Sequence, residues 1–155
     1  MSILKISRMK PRRHARNIAL QVLYELDQSD HPPGEVLTQR LAEEGAEGEV
    51  AEYARRLITG VLRYRDIIDA FIQKNAPEWP LAEMAIIDRN ILRVAVVEFA
   101  LERTAPTKVA INEAVELAKS YGSDSAPRFI NGVLGAVVGQ EAELRRAAAR
   151  LDMPG

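Results

Sequence analysis

The sequence contains no cysteine, one tryptophan and two histidines, and only 5% of its 155 residues are aromatic. Without cysteine there is no disulfide framework, no thiolate zinc site and no cysteine nucleophile, which points to a reducing, cytoplasmic compartment. His14 sits among arginines and His31 in a proline turn, so neither has ligand spacing for a metal. No apolar run approaches the ~20 residues needed to span a bilayer. MSILKISRMK, at the N-terminus, is basic but lacks the apolar region of a secretory signal. Gly132, Gly135 and Gly139 are followed by no Gly-Lys-Ser/Thr, so they form no phosphate cradle, and their small size suits close helix packing instead. Glu43/Glu44 lie in a polar stretch with no apolar surroundings to raise a carboxyl pKa. Catalysis, metal and cofactor chemistry therefore have no candidate residues.

What is present is a chain of ordinary globular composition, 47% apolar and 28% charged, of a length that suits one domain. Its net charge of −1 is unevenly spread. Lys5, Arg8, Lys10, Arg12, Arg13 and Arg16 precede Tyr24 with no acidic residue among them. Glu35, Glu43, Glu44, Glu47, Glu49 and Glu52 follow against Arg40 alone. A basic end on a near-neutral chain fits a local anionic partner, or else a solvated leader.

The periodicity is helical throughout. Ala15, Ile18, Ala19, Val22, Leu23 and Leu26 define the apolar stripe of a first helix that HPPG (31–34) ends. A short second helix turns Val36, Leu37 and Leu41 inward and breaks at Gly45–Gly48. A long third segment runs to NAPEWP, and Gly60 within it predicts close packing or a bend. Pro77 and Pro80 flank Trp79 and predict a boundary between two helical groups, with LAEMA adding a short turn. IIDRNILRVAVVEFALER is apolar nearly all round and predicts a central helix. KVAINEAVELAKSYG follows, with Gly122 placed for a left-handed stop. Ser125 is placed to cap the next helix, and Pro127 falls in its first turn. EAELRRAAARL extends the chain as a polar helix. The fold class is all-α, a helical bundle.

Two constellations carry functional interest. Opposite the first stripe lie Arg13, Arg16, Asn17, Leu20 and Tyr24. Arginine interleaved with aromatic residues suits single-stranded RNA, because guanidinium groups neutralise phosphates and rings accept stacked bases. The plain alternative is that Leu20 and Tyr24 pack on a neighbour while the arginines confer solubility. AKSYGSDSAPRFING brings Lys119, Tyr121, Arg128, Phe129 and Asn131 into a second such corner. There the alternative is a capped turn with both rings in the core.

RRHARNIALQVLYELD, ILRVAVVEF, KVAINEAVELAKSYG and RFINGVL, in this order, resemble the NusB family of transcription antitermination factors over roughly residues 12–138. The resemblance implies a non-enzymatic bundle of two packed three-helix groups with no cofactor. It implies binding of single-stranded boxA RNA in nascent ribosomal RNA transcripts, as a heterodimer with the small-subunit ribosomal protein NusE. It also implies assembly with RNA polymerase and other Nus factors. Carried over residue by residue, the RNA face comprises Arg12, Arg13, Arg16, Tyr24, Lys119, Tyr121, Arg128 and Phe129. The protein-partner face comprises Glu83, Asp88 and Arg89. His14 stands where the family often has a basic residue, as an accessory cation or a surface residue, and SDSAPRF departs from the usual late turn.

On this reading residues 1–10 form a flexible basic extension, 11–140 a single NusB-type domain, and 141–155 a polar helical tail. Three rivals stand beside it. One is a protein-only helical scaffold, and another is a homodimer that hides the arginine helix. The third is the RNA-binding module of a ribosomal RNA cytosine methyltransferase, an enzyme that needs a separate catalytic domain with cysteines. With none in these 155 residues, that reading requires the chain to be a fragment.

Overall fold

A computed structural model describes residues 10–154, and every regular element among them is helical. The MSILKISRMK extension up to residue 9 lies outside the described residues. The chain divides into two compact units, Met1–Thr59 and Gly60–Gly155. The division falls inside a continuous helix rather than at the prolines around Trp79, where the sequence predicts it.

The first unit opens with α1, Pro11–Gln28. Pro11 supplies a fixed φ at the first helical position, where its missing N–H costs nothing. Ala15, Ile18, Ala19, Val22 and Leu23 are buried as predicted. Leu20 is buried as well, so it belongs to the core and not to the outer face. The helix α2, Pro33–Glu44, ends in left-handed Gly45, and the Ala46 N–H donates to the Leu41 carbonyl at 2.9 Å. That six-residue closure satisfies a terminal carbonyl, and the positive φ favours glycine there. Gly48–Asn75 forms α3, whose first half contributes Tyr53, Ala54, Leu57 and Ile58 to this core.

In the second unit α3 continues, followed by a 3₁₀ turn, Leu81–Glu83, and α4, Ile86–Val96. All residues from 90 to 100 are buried, as the all-round apolar pattern predicts. The helix widens into a π turn, Val97–Leu101, in which the Glu102 N–H reaches the Val97 carbonyl at 2.8 Å. Gly60 is explained by this turn: a Cβ there would lie 2.8 Å from Val97 Cγ1, so close packing is the reason for glycine. The arginine of the ILR motif, Arg93, is internal. Its Nε and Nη2 donate to the two Asp69 carboxylate oxygens at 2.8 Å each, and its Nη1 donates to Asn90 Oδ1 at 3.0 Å. A two-pronged pair of this kind satisfies the buried guanidinium and the half-buried Asp69 carboxylate.

Three helices complete the unit: α5, Thr107–Tyr121; α6, Ala126–Val137; and α7, Glu141–Asp152. Gly122 is extended at φ −94°, ψ 180°, not left-handed. Its glycine requirement is steric, since a Cβ would lie 2.6 Å from Ala126 Cβ. Ser125 precedes α6 but makes no side-chain cap bond. Gly132, Gly135 and Gly139 each have open space where a Cβ would stand, which overturns the close packing expected of them. The polar tail is helical, but it is docked as a packed part of the unit. Leu144 and Ala148 are buried, and Arg145 Nη1 donates to the Ala100 carbonyl at 3.2 Å. The last turn is held by Asp152, whose carboxylate accepts from Arg63 and, at 2.9 Å, from the Tyr64 hydroxyl. Burying one leucine side chain contributes about 1.5–3 kcal/mol, enough to hold an otherwise polar helix against the bundle.

Candidate nucleic-acid interface

In the first unit the arginines of α1 are organised by a residue of α3. The Arg12 guanidinium lies over the Tyr53 ring, 4.6 Å from its centroid, and Arg16 lies 5.9 Å from the same centroid. A guanidinium within about 6 Å of a ring face is attracted by the ring quadrupole. Helical spacing of four residues puts both arginines on one side of α1, and Tyr53 receives both. Arg12 and Arg13 face solvent. Arg16 is 4% exposed, so it packs the site together and is not a free cation on the outer face. Tyr24 is 42% exposed two turns further along.

His14 is buried, contrary to the surface position expected of it. It is 7% exposed, and its Nε2 lies 3.9 Å from the Glu44 carboxylate. Crowding between α1 and the end of α2 therefore takes this side chain out of the cationic surface.

In the second unit the residues of the late corner differ in exposure and in partners. Lys119 is exposed and pairs with Glu116, one turn back, at 3.1 Å. Tyr121 is 38% exposed, and Arg128 is exposed. Phe129 is half-buried and meets the Trp79 ring edge-to-face, with centroids 5.9 Å apart and an interplanar angle of 69°. Neither Tyr121 nor Phe129 is sealed in the core.

The three residues of the expected protein-partner face are placed differently from one another. Glu83 is exposed in the 3₁₀ turn. Asp88, in the first turn of α4, has a buried Oδ1 that makes no hydrogen bond and faces the Gly122 turn. Burial raises its carboxyl above the ordinary value. Arg89 is half-buried, and its Nη1 donates weakly to the Leu81 carbonyl at 3.4 Å.

The NusB family model matches residues 13–139, most of the chain. The chain belongs to the NusB family. A relative from Roseiflexus sp. (strain RS-1), the transcription antitermination protein NusB, is 47% identical over 137 residues, 87% of this chain and 96% of its own. T. maritima NusB is similar in structure, with a TM-score of 0.77 and 31% identity over 86% of this chain and 98% of that one. A crystal structure of the antitermination factors NusB and NusE in complex with dsRNA is also similar. Its matching chain gives a TM-score of 0.74 and 28% identity, covering 90% of this chain and 98% of that one.

Two residues of the candidate interface of this NusB-family chain escape a reading from sequence alone. Tyr53 falls in the apolar stripe of α3, and nothing local marks it as the seat of two arginines from another helix. Trp79 reads as a boundary marker between prolines, yet it is 60% exposed beside Phe129. A signal for Trp79 was available: a lone tryptophan in a proline-flanked loop has no helical stripe to join.

Proposed function

We propose that this chain is a transcription antitermination factor that acts by recognition without catalysis. It binds boxA RNA in nascent ribosomal RNA transcripts, together with a NusE-type small-subunit ribosomal protein, in an assembly with RNA polymerase and other Nus factors. Its place of action is the cytoplasm, where that transcript is made. Among the described residues no helix is long and apolar enough to cross a membrane.

The observation that carries this reading is the seating of Arg12 and Arg16 on Tyr53, in a helix with no acid in its first turn. Fixing a guanidinium before the ligand arrives reduces the ordering cost of binding. Arg12 and Arg13 neutralise phosphates, while the exposed rings of Tyr24 and Tyr121 and the half-buried ring of Phe129 accept unstacked bases. Lys119 and Arg128 add charge at the late corner. Family membership and the similar NusB–NusE–dsRNA structure support the choice of RNA and of a NusE-type partner. Exposed aromatic side chains favour a single strand here, because bases in a duplex are already stacked.

Glu83, Asp88 and Arg89 form the partner face in this reading. Asp88 suits the role because a half-buried carboxylate without a hydrogen bond gains when a partner supplies a donor.

The test is binding to boxA and scrambled RNA, each as a single strand and as a duplex, with and without the NusE-type protein, across a salt series. The expected result is a single-strand boxA preference that the partner strengthens. Arg12→Gln with Arg13→Gln should flatten the log–log salt slope by about 0.7 for each phosphate that is no longer neutralised. Equal weak binding to all four RNAs would overturn the proposal and leave a protein-only scaffold.

A further inference from the structure

Within the second unit, Trp79 lies on the wall of a concave site of about 370 Å³. Its lining includes Pro77, Glu78, Trp79, Arg128, Phe129 and Gly132. Three features distinguish it from an incidental surface dent.

The loop that presents the indole is held in place. The Gln73 side-chain amide donates to the Ala76 and Trp79 carbonyls at 3.1 Å each, and its oxygen accepts from the Leu81 N–H at 2.7 Å. The Trp79 backbone N–H closes a turn onto the Ala76 carbonyl at 3.1 Å, with prolines at 77 and 80 stiffening both sides. One side chain thus pins a whole turn whose largest apolar group stays 60% exposed. A loop serving only to connect two helices has no need of that arrangement.

The aromatic geometry also leaves room. An edge-to-face pair uses the face of only one ring, so the other ring keeps free faces for a third flat group. The lining is also bare at one position. Gly132 has open space where a Cβ would stand, and it lies one helical turn beyond Arg128 on the same side of α6. Two aromatic rings, one exposed cation and a bare glycine make a slot shaped for a single planar ring beside a phosphate.

We infer that Trp79, Phe129 and Arg128 form a pocket for one unstacked base of the bound RNA, with Trp79 as its stacking platform. The inference rests on the RNA-binding reading, and it adds a residue and a subsite to it. Arg128 and Phe129 already belong to the proposed RNA face, so the pocket continues that face without a break. An RNA base fits better than an apolar protein side chain, because the lining carries charge through Glu78 and Arg128 beside its two rings. Glu78 stands at the rim as an acceptor, which suits a base that carries an exocyclic amine.

Trp79 is the only tryptophan in the chain, so its fluorescence reports on this pocket alone. The experiment titrates the full chain with boxA RNA, with the NusE-type protein present, while following both indole emission and RNA affinity. Emission should be quenched in step with binding. Trp79→Leu should weaken boxA binding roughly 5- to 160-fold, the range for one stacked base, with helix content unchanged. Trp79→Phe should recover part of the loss. A series of boxA RNAs, each abasic at one position, should contain one member for which Trp79→Leu costs nothing further.

If wild-type RNA binding is present, but Trp79→Leu binds equally well and emission does not change, the pocket assignment is wrong and RNA binding stands. If the partner protein alone quenches the indole, and Trp79→Leu weakens that partner and not RNA, the surface is a protein-docking site and the inference falls. If the unmodified chain binds no boxA RNA, the underlying RNA reading fails, and this inference with it.

Discussion

Replacing Tyr53 by leucine tests the organisation of the arginine site without removing any charge. Leucine keeps an apolar side chain in a position only 7% exposed, but it removes the ring on which Arg12 and Arg16 rest at 4.6 and 5.9 Å. Arg12 is exposed, so its share of cation–π attraction is about 0.5–1 kcal/mol. Arg16 is buried but near the distance limit, which gives a contribution of about 0.5–2 kcal/mol. The folded state should therefore lose about 1–3 kcal/mol, measurable as a lower denaturant midpoint. For RNA binding the relevant cost is different. Arg16 stays buried, so only the Arg12 guanidinium must be ordered on binding, at about 0.5–1.5 kcal/mol, a loss of about 2- to 12-fold in affinity. The charges are still there, so the log–log salt slope should stay the same. This combination, weaker at every salt concentration with an unchanged slope, separates positioning from neutralisation. Tyr53→Phe retains the ring and should bind RNA like the parent. Fluorescence anisotropy with labelled boxA RNA across a salt series gives both numbers. Parental affinity in Tyr53→Leu at all salt concentrations, with helix content intact, would refute the claim that the ring positions the arginines.

Asp88→Asn should raise thermal stability at neutral pH while weakening the NusE-type partner, as read by melting and by a pull-down titration. The sign follows from burial: a carboxyl held above its ordinary value favours folding while protonated and loses that contribution as pH rises through the raised value. The gain from asparagine should therefore vanish in acid. Gly60→Ala should destabilise by about 1–2 kcal/mol in urea, since overpacking against Val97 outweighs about 1 kcal/mol of helix propensity. Val97→Ala in the same chain should recover part of that loss. Asp152→Asn should loosen the end of α7, seen as faster hydrogen exchange in its last turn. Arg63 and Tyr64 hold the Asp152 carboxyl below its ordinary range, so this clasp is present at neutral pH and is lost as acid reaches the lowered value. Arg63 and Asp152 are surface-exposed and Tyr64 is half-buried, so the effect is local.

The apolar spacing of the sequence is enough to establish an all-helical chain, because a buried stripe at helical period needs only local geometry to be recognised. It also locates the central helix, whose all-round apolar character predicts neighbours on several sides. Gly45, Pro11 and Pro127 act through their own backbone preferences, so their roles are legible without a fold. Other positions depend on what another part of the chain brings to them. Gly122 is glycine because Ala126 returns to within contact distance, a steric demand that no local φ preference announces. Gly132 and Gly135 carry the same composition signal, yet they face open space. His14 and Arg16 belong to a basic run that looks uniformly solvated, and only the packing of α1 against α2 and α3 buries them. The α7 helix reads as a polar tail until Leu144 finds its site. Residue types and their order thus specify the helices, the basic end and the family. Tertiary structure alone decides which arginines remain in solvent, which ring carries them, and that the single tryptophan stands exposed beside Phe129. The physical reason is that charge and propensity are properties of one residue, whereas burial and stacking are properties of pairs far apart in sequence.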